Sequence, residues 1–66
     1  MNKRELVKDM QNFAGSGFIT RKKFAEYMGK KEPYHIDKYL VGLDRVGTNY
    51  FIPDVADVLL REVTRR

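Results

Sequence analysis

The sequence contains no cysteine, which excludes a disulfide framework and a thiolate zinc site and suits a reducing compartment. Its apolar runs are too short and too often interrupted to span a membrane. The opening MNKRELVKDM mixes charged and apolar residues without a continuous apolar stretch, so no secretory signal is predicted. These absences predict a cytoplasmic protein.

Residues that commonly carry catalysis are also scarce. Ser16 is the only serine, His35 is the only histidine, and the nine carboxylates are scattered. A lone histidine makes neither a metal site nor a nucleophile pair, and the GSG at residues 15–17 is too short for a phosphate-binding loop. We therefore expect no enzymatic activity, no cofactor and no metal.

What the sequence does contain is enough apolar surface for one small folded domain. Hydrophobic residues make up 42% and charged residues 33% of the 66 positions, a balance too apolar for disorder, and the length allows a single domain over residues 1–66. The net charge is +4, and the first 38 residues hold nine basic and five acidic side chains. An excess of positive charge in this half favours a polyanionic partner.

The first half predicts two helices joined by a short strand. Apolar residues recur at helical spacing over residues 3–14, and the glycines of GSG end that helix. FIT, at 18–20, is β-branched and aromatic, which predicts a strand that leads to Thr20 as the N-cap of the next helix. That second helix covers residues 21–28, buries Phe24, Ala25 and Met28, and ends at Gly29 in the C′ position.

A third helix is predicted over residues 33–43, with Pro33 at its first position. Its inner face carries Ile36, Tyr39, Leu40 and Leu43, and its outer face carries Tyr34, Lys38, Val41 and Arg45, with His35 at the flank. A hairpin then follows, with strands at 45–46 and 50–52 around the turn Gly47, Thr48 and Asn49. Pro53 opens a fourth helix, predicted to bury residues that include Val63 and to end in arginines that suit the helix dipole. The predicted fold class is mainly α with a small β-hairpin, in the order α-β-α-α-β-β-α.

The second and third helices are spaced like a helix-turn-helix. Ala25 allows close crossing, Gly29 forms the turn, and Ile36 is the early apolar residue of the second helix, one position later than in the commonest spacing. Two ordinary packed helices would show the same triplet. The basic and aromatic outer face of the third helix and the hairpin after it favour DNA binding, because the first turn of such a helix meets base edges and a hairpin there can serve as a wing.

Eleven residues are candidate DNA contacts, chosen for charge, for position near the presumed reading helix, or for position at the wing tip. They are Arg21, Lys22, Lys23, Lys30, Lys31, Tyr34, His35, Lys38, Arg45, Thr48 and Asn49. For Arg21, Lys22 and Lys23 a simple solvated face competes evenly with a phosphate clamp, and for His35 idle exposure competes evenly with a contact.

ITRKKFAEYMG, the basic helix after it and NYFIPDVADVLLR together resemble the winged helix-turn-helix of the MerR and excisionase superfamily over residues 18–61. The size is similar to that of stand-alone excisionases, or recombination directionality factors. This resemblance implies a winged helix-turn-helix that binds and bends attachment-site double-stranded DNA, self-associates cooperatively on it and assists an integrase, in the cytoplasm at the nucleoid. Asn49 departs from the basic residue that the family often has before the wing aromatic, which weakens the case for minor-groove insertion.

Two alternatives stay open. A small winged-helix transcriptional regulator would use the same DNA-binding surface. A protein-interaction adaptor without DNA binding would instead hold its partner with the stripe Tyr34, Lys38 and Val41.

Overall fold

A computed structural model describes residues 2–64, and side chains as far as residue 62. The elements in chain order are α1 (Lys3–Ala14), β1 (Phe18–Thr20), α2 (Arg21–Tyr27), a 3-10 segment (Pro33–Ile36) that runs into α3 (Asp37–Leu40), β2 (Arg45–Val46), β3 (Asn49–Phe51) and α4 (Ile52–Thr64). The three strands form one antiparallel sheet in the order β1-β3-β2. The prediction of a mainly helical fold with a small β component is confirmed. The pairing of β1 with the hairpin was not predicted.

The first two helices begin where local sequence signals put them, and α2 ends at Tyr27, one residue before its predicted end. At the start of α1, the Asn2 side chain accepts from the Glu5 N–H while the Glu5 carboxylate accepts from the Asn2 N–H, which is a complete capping box. The Thr20 hydroxyl caps α2 by accepting from the Lys23 N–H at 3.1 Å, as predicted. Local hydrogen bonding therefore accounts for the N-terminal ends of both helices.

Gly29 ends α2 in the C′ position, as predicted. Its φ of 73° lies in the left-handed region, which favours glycine. The Gly29 N–H donates to the Glu26 carbonyl and the Lys30 N–H donates to the Ala25 carbonyl, and these two bonds make up the Schellman motif. The end of α2 is therefore a regular Schellman motif, and the extra residue of the helix-turn-helix joint lies between this motif and Pro33.

The third helix is shorter and less regular than predicted. Pro33 does occupy the first helical position, but residues 33–36 form a 3-10 segment and the α-helix ends at Leu40 rather than at residue 43. Val41 (φ −60°, ψ 129°) and Gly42 (φ 84°) have the angles of a type II turn, and the Leu43 N–H closes it on the Leu40 carbonyl at 3.1 Å. The turn returns Leu43 to the core without a further helical turn. Arg45 consequently lies in β2 and not on the outer face of this helix.

The hairpin has a tighter turn than predicted. Asn49 belongs to β3 and pairs with Val46, so only Gly47 and Thr48 form the turn, and Ile52 already belongs to α4. Gly47 has a φ of 64°, and no non-glycine residue within 2–64 has a positive φ. This combination identifies a type II′ turn, which suits the twist of a two-residue hairpin.

One apolar core joins all of these elements. Its buried residues are Leu6, Met10, Ile19, Phe24, Ala25, Ile36, Leu40, Ile52, Val55, Ala56 and Leu59. Tyr39 and Leu43 pack against it half-buried, as does Met28, which was expected to be buried. The expectations for the Val63 side chain and for the terminal arginines lie outside the described residues. Among residues 2–64 no helix is both long and apolar enough to cross a membrane.

Candidate nucleic-acid interface

A shallow cleft of about 260 Å³, called here the α2–hairpin cleft, opens between the start of α2 and the β2–β3 hairpin. It is lined by Thr20, Arg21, Lys22, Pro33, Arg45, Thr48 and Tyr50. Four of these residues were predicted as DNA contacts from two segments far apart in the sequence, namely Arg21, Lys22, Arg45 and Thr48. The lining carries three cationic side chains and no carboxylate, so the cleft is suited to an anion.

Sheet register explains why these residues meet. Ile19 pairs with Tyr50, and Tyr50 pairs in turn with Arg45, so the three side chains share one face of the sheet. Ile19 is buried in the core, which leaves Tyr50 half-buried and Arg45 at the exposed margin of the same face. Because β1 runs directly into α2, this pairing also brings Arg21 and Lys22 beside the hairpin.

Arg21 is held by Asp37 across the joint between α2 and α3. Its Nε donates to Oδ1 of Asp37 at 2.6 Å and its Nη2 donates to Oδ2 at 2.8 Å, with both side chains about half exposed (49% and 45%). The hydrogen bonds to Arg21 lower the pKa of Asp37, and the hydrogen bonds to Asp37 raise the pKa of Arg21. The pair therefore fixes the guanidinium at the edge of the cleft.

A pH titration tests this pair. Because the pKa of Asp37 is lowered in the folded chain, the pair stabilises the fold above the pKa of the unfolded state and loses that effect as pH falls through the folded-state pKa. We expect Arg21→Gln to return the pKa of Asp37 towards its ordinary value, as followed by NMR of the side-chain carboxyl carbon. Lys22→Gln, the control, removes a neighbouring charge but no hydrogen bond and should leave the pKa of Asp37 lowered. An Asp37 titration unchanged by Arg21→Gln would contradict the pairing.

A second group of predicted contacts consists of exposed side chains in the segment 30–38. It comprises Lys30, Lys31, Tyr34, His35 and Lys38. Tyr34 is 63% exposed, and its ring packs edge-on against that of His35 with the centroids 4.2 Å apart. Lys38 places its Nζ 5.2 Å from the Tyr39 ring centroid. The segment thus presents aromatic and basic groups to solvent next to Pro33, which lines the cleft.

Two predicted contacts, Lys23 and Asn49, lie neither in the cleft nor in the segment 30–38. The Nζ of Lys23 lies 5.2 Å from the Phe13 ring centroid of α1, and Phe13 in turn packs against Tyr27 at 5.3 Å. Asn49 pairs with Val46 and lies beside Ser16, Phe18 and Val46 on the other face of the sheet. Lys23 therefore belongs to the packing between α1 and α2, and Asn49 to the outer face of the sheet.

Sequence reasoning missed two residues of this interface, Asp37 and Tyr50. Tyr50 and Phe51 face opposite sides of the sheet, and the register places Tyr50 on the core side, while Phe51 is 45% exposed and its ring centroid lies 5.5 Å from that of Phe18. Asp37 carried no signal of its own, because its partner Arg21 is 16 residues away.

In chemical terms the interface offers fixed donors and positive charge. Within residues 2–64 no group of three or more His, Cys, Asp or Glu side chains is arranged to hold a metal ion. Comparison of the chain with models of protein families, with curated proteins and with solved structures found no match.

Proposed function

We propose that the chain is a sequence-specific double-stranded-DNA-binding protein that acts as an excisionase-like architectural factor and assists an integrase at the nucleoid. The observation that carries this proposal is the α2–hairpin cleft, where Arg21, Lys22 and Arg45 converge beside the exposed segment 30–38. Most protein–DNA hydrogen bonds go to phosphate and sugar, and base edges are read from an exposed helical segment. The cleft supplies cations for phosphate contacts, and the segment 30–38 supplies exposed side chains for contacts with base edges.

The order of the elements supports a winged helix-turn-helix as the fold behind this function. Two helical segments meet at the Gly29 joint, a hairpin follows the second of them, and β1 completes a three-stranded sheet. In this arrangement the segment 33–40 enters the major groove, which is wide enough for a helix. Its first turn carries Tyr34 and His35, and Lys38 follows one turn later.

The hairpin acts through the side that lines the cleft, where Arg45 and Thr48 lie. Gly47 and Thr48 at the tip carry no charge, and the positive charge of the hairpin is supplied by Arg45 at its base. A short uncharged tip is poorly suited to deep insertion in the minor groove, where arginine is the usual probe. The hairpin therefore contacts the DNA backbone, next to the groove that the segment 33–40 reads.

Adjacent lysines on α2 provide the test of DNA binding. The affinity of the wild-type chain for duplex DNA carrying candidate sites should fall steeply with salt, because each phosphate contact releases counterions. Lys22→Ala, in the cleft, should reduce the slope of log affinity against log salt by about 1. Lys23→Ala, which removes an equal charge one residue away, should leave the slope unchanged. If the chain does not bind DNA, or if its affinity does not change with salt, the proposed function is wrong.

DNA bending separates an architectural factor from a simple regulator. An excisionase-like factor should bring the ends of a labelled duplex closer together, as measured by energy transfer between end-attached dyes. Binding of a duplex that stays straight would favour the small transcriptional regulator, which uses the same surface without needing a bend.

A further inference from the structure

We propose that the α2–hairpin cleft binds one phosphodiester group of the DNA backbone, and that Asp37 is a positioning residue that holds Arg21 in the orientation for this contact. The inference rests on the proposed function. It adds which chemical group of the DNA enters the cleft, and it gives a role to Asp37, whose carboxylate is hydrogen-bonded to Arg21 of the cleft.

The guanidinium of Arg21 has a free edge. Its Nε and one N–H of Nη2 are engaged by the two oxygens of Asp37. A guanidinium carries five N–H donors in a planar fork, so both N–H groups of Nη1 and the second N–H of Nη2 stay available. The Nη1 and Nη2 edge is the one that binds two oxygens of a phosphate side by side. Arg21 can therefore hold Asp37 and a phosphate at the same time.

The rest of the cleft supplies donors and charge for the same anion. Lys22 and Arg45 add two positive charges, and Thr48 and Tyr50 add hydroxyl groups. The Thr20 oxygen already accepts from the Lys23 N–H, so its own O–H remains a donor for an oxygen in the cleft. A phosphodiester, with one negative charge and two free oxygens, fits a small cleft of this composition.

Asp37 could also affect DNA binding in the opposite way, as a negative charge that repels the backbone and competes for Arg21. The two roles predict opposite signs. If Asp37 only competes, Asp37→Asn raises the affinity for DNA. If it positions Arg21, Asp37→Asn frees the side chain to leave the cleft edge and weakens the contact with one particular phosphate.

Duplexes in which a single phosphate is replaced by an uncharged methylphosphonate test the contact directly. For the wild-type chain we expect a loss of affinity of roughly 10-fold or more at one backbone position, the range for hydrogen bonds to a charged group, and little loss at positions outside the site. In Arg21→Lys, Arg45→Ala and Asp37→Asn the loss at that same position should shrink to about 3-fold or less, since a contact already removed cannot be lost twice. Lys23→Ala, the control, should keep the full loss.

The outcomes separate this inference from the proposed function. Salt-dependent DNA binding in which no single phosphate responds differently between the wild-type chain and Arg21→Lys overturns the inference and leaves the function standing. Absence of DNA binding overturns both. A full loss in Asp37→Asn, with higher overall affinity, overturns the positioning role. A titration with inorganic phosphate tests whether the cleft binds a free anion instead. Saturable binding of phosphate in the cleft, without any position-specific effect on DNA, would overturn the assignment to the DNA backbone. Circular dichroism confirms that each variant is folded.

Discussion

Replacement of Phe24 by alanine is expected to unfold the domain. Phe24 lies on α2 with none of its surface exposed, and its ring meets that of Tyr39 edge-on with the centroids 6.3 Å apart. Truncation of a buried phenylalanine costs about 3–5 kcal/mol, and a core in a chain of this size rarely supplies more than about 3–5 kcal/mol of net stability. In circular dichroism we expect a cooperative thermal transition for the wild type and none for the variant.

Phe51→Ala is the matched control for that experiment. Phe51 is 45% exposed and touches Phe18 across the strands of the outer sheet face, a cross-strand contact worth about 0.2–1 kcal/mol. It should melt cooperatively within roughly 8 °C of the wild type. A Phe24→Ala variant that melts as close to the wild type as Phe51→Ala would contradict the single core built around α2.

Lys38→Ala is expected to weaken specific DNA binding by about 1–3 kcal/mol, the range for a side chain that contacts a base. Lys38 is exposed on α3, which is part of the segment that enters the groove, and its Nζ lies 5.2 Å from the Tyr39 ring centroid. Loss of a base contact should also relax the preference among sites that differ at one base pair. Fluorescence anisotropy with a set of such duplexes measures both effects.

Lys23→Ala is an unusually close control for this substitution. Each substitution removes one positive charge and one cation–ring contact at the same distance of 5.2 Å. Lys23, however, lies over Phe13, on the side of α2 that faces α1. It should retain the affinity and the site preference of the wild type. Equal losses in both variants would mean that Lys38 contributes only net charge, and would remove it from the set of base contacts.

The parts of the fold that could be predicted are those set by neighbouring residues. The start of α2 follows from the hydroxyl of Thr20, and its end follows from the left-handed φ available to Gly29. The end of the third helix could not be predicted in this way. Residues 33–43 are compatible with a helix on periodicity alone. The packing of half-buried Leu43 against the core through a type II turn is a tertiary effect that overrides the local pattern.

The candidate site, like the fold, could be predicted only where neighbouring residues determine it. Charge and position in the chain were sufficient to select Lys22, Arg45 and Thr48, but not to show that they share a cleft, because this depends on the register of β1 and β2 with β3. Lys22 and Lys23 look alike in the sequence and differ only in the direction in which α2 presents them. The choice between them requires knowledge of where α1 packs.

We propose that this chain binds duplex DNA with the α2–hairpin cleft and the adjoining segment 30–38. The most direct measurement is an NMR titration of the isotope-labelled chain with duplex DNA carrying candidate sites, read as amide shifts for every residue at low and at high salt. We expect salt-sensitive, saturable shifts concentrated at Lys22, Arg45, Thr48 and residues 30–38, with small shifts at Phe13 and at the outer sheet face around Phe18. No saturable shift at low salt, or shifts concentrated on α1 and the outer sheet face, would contradict it.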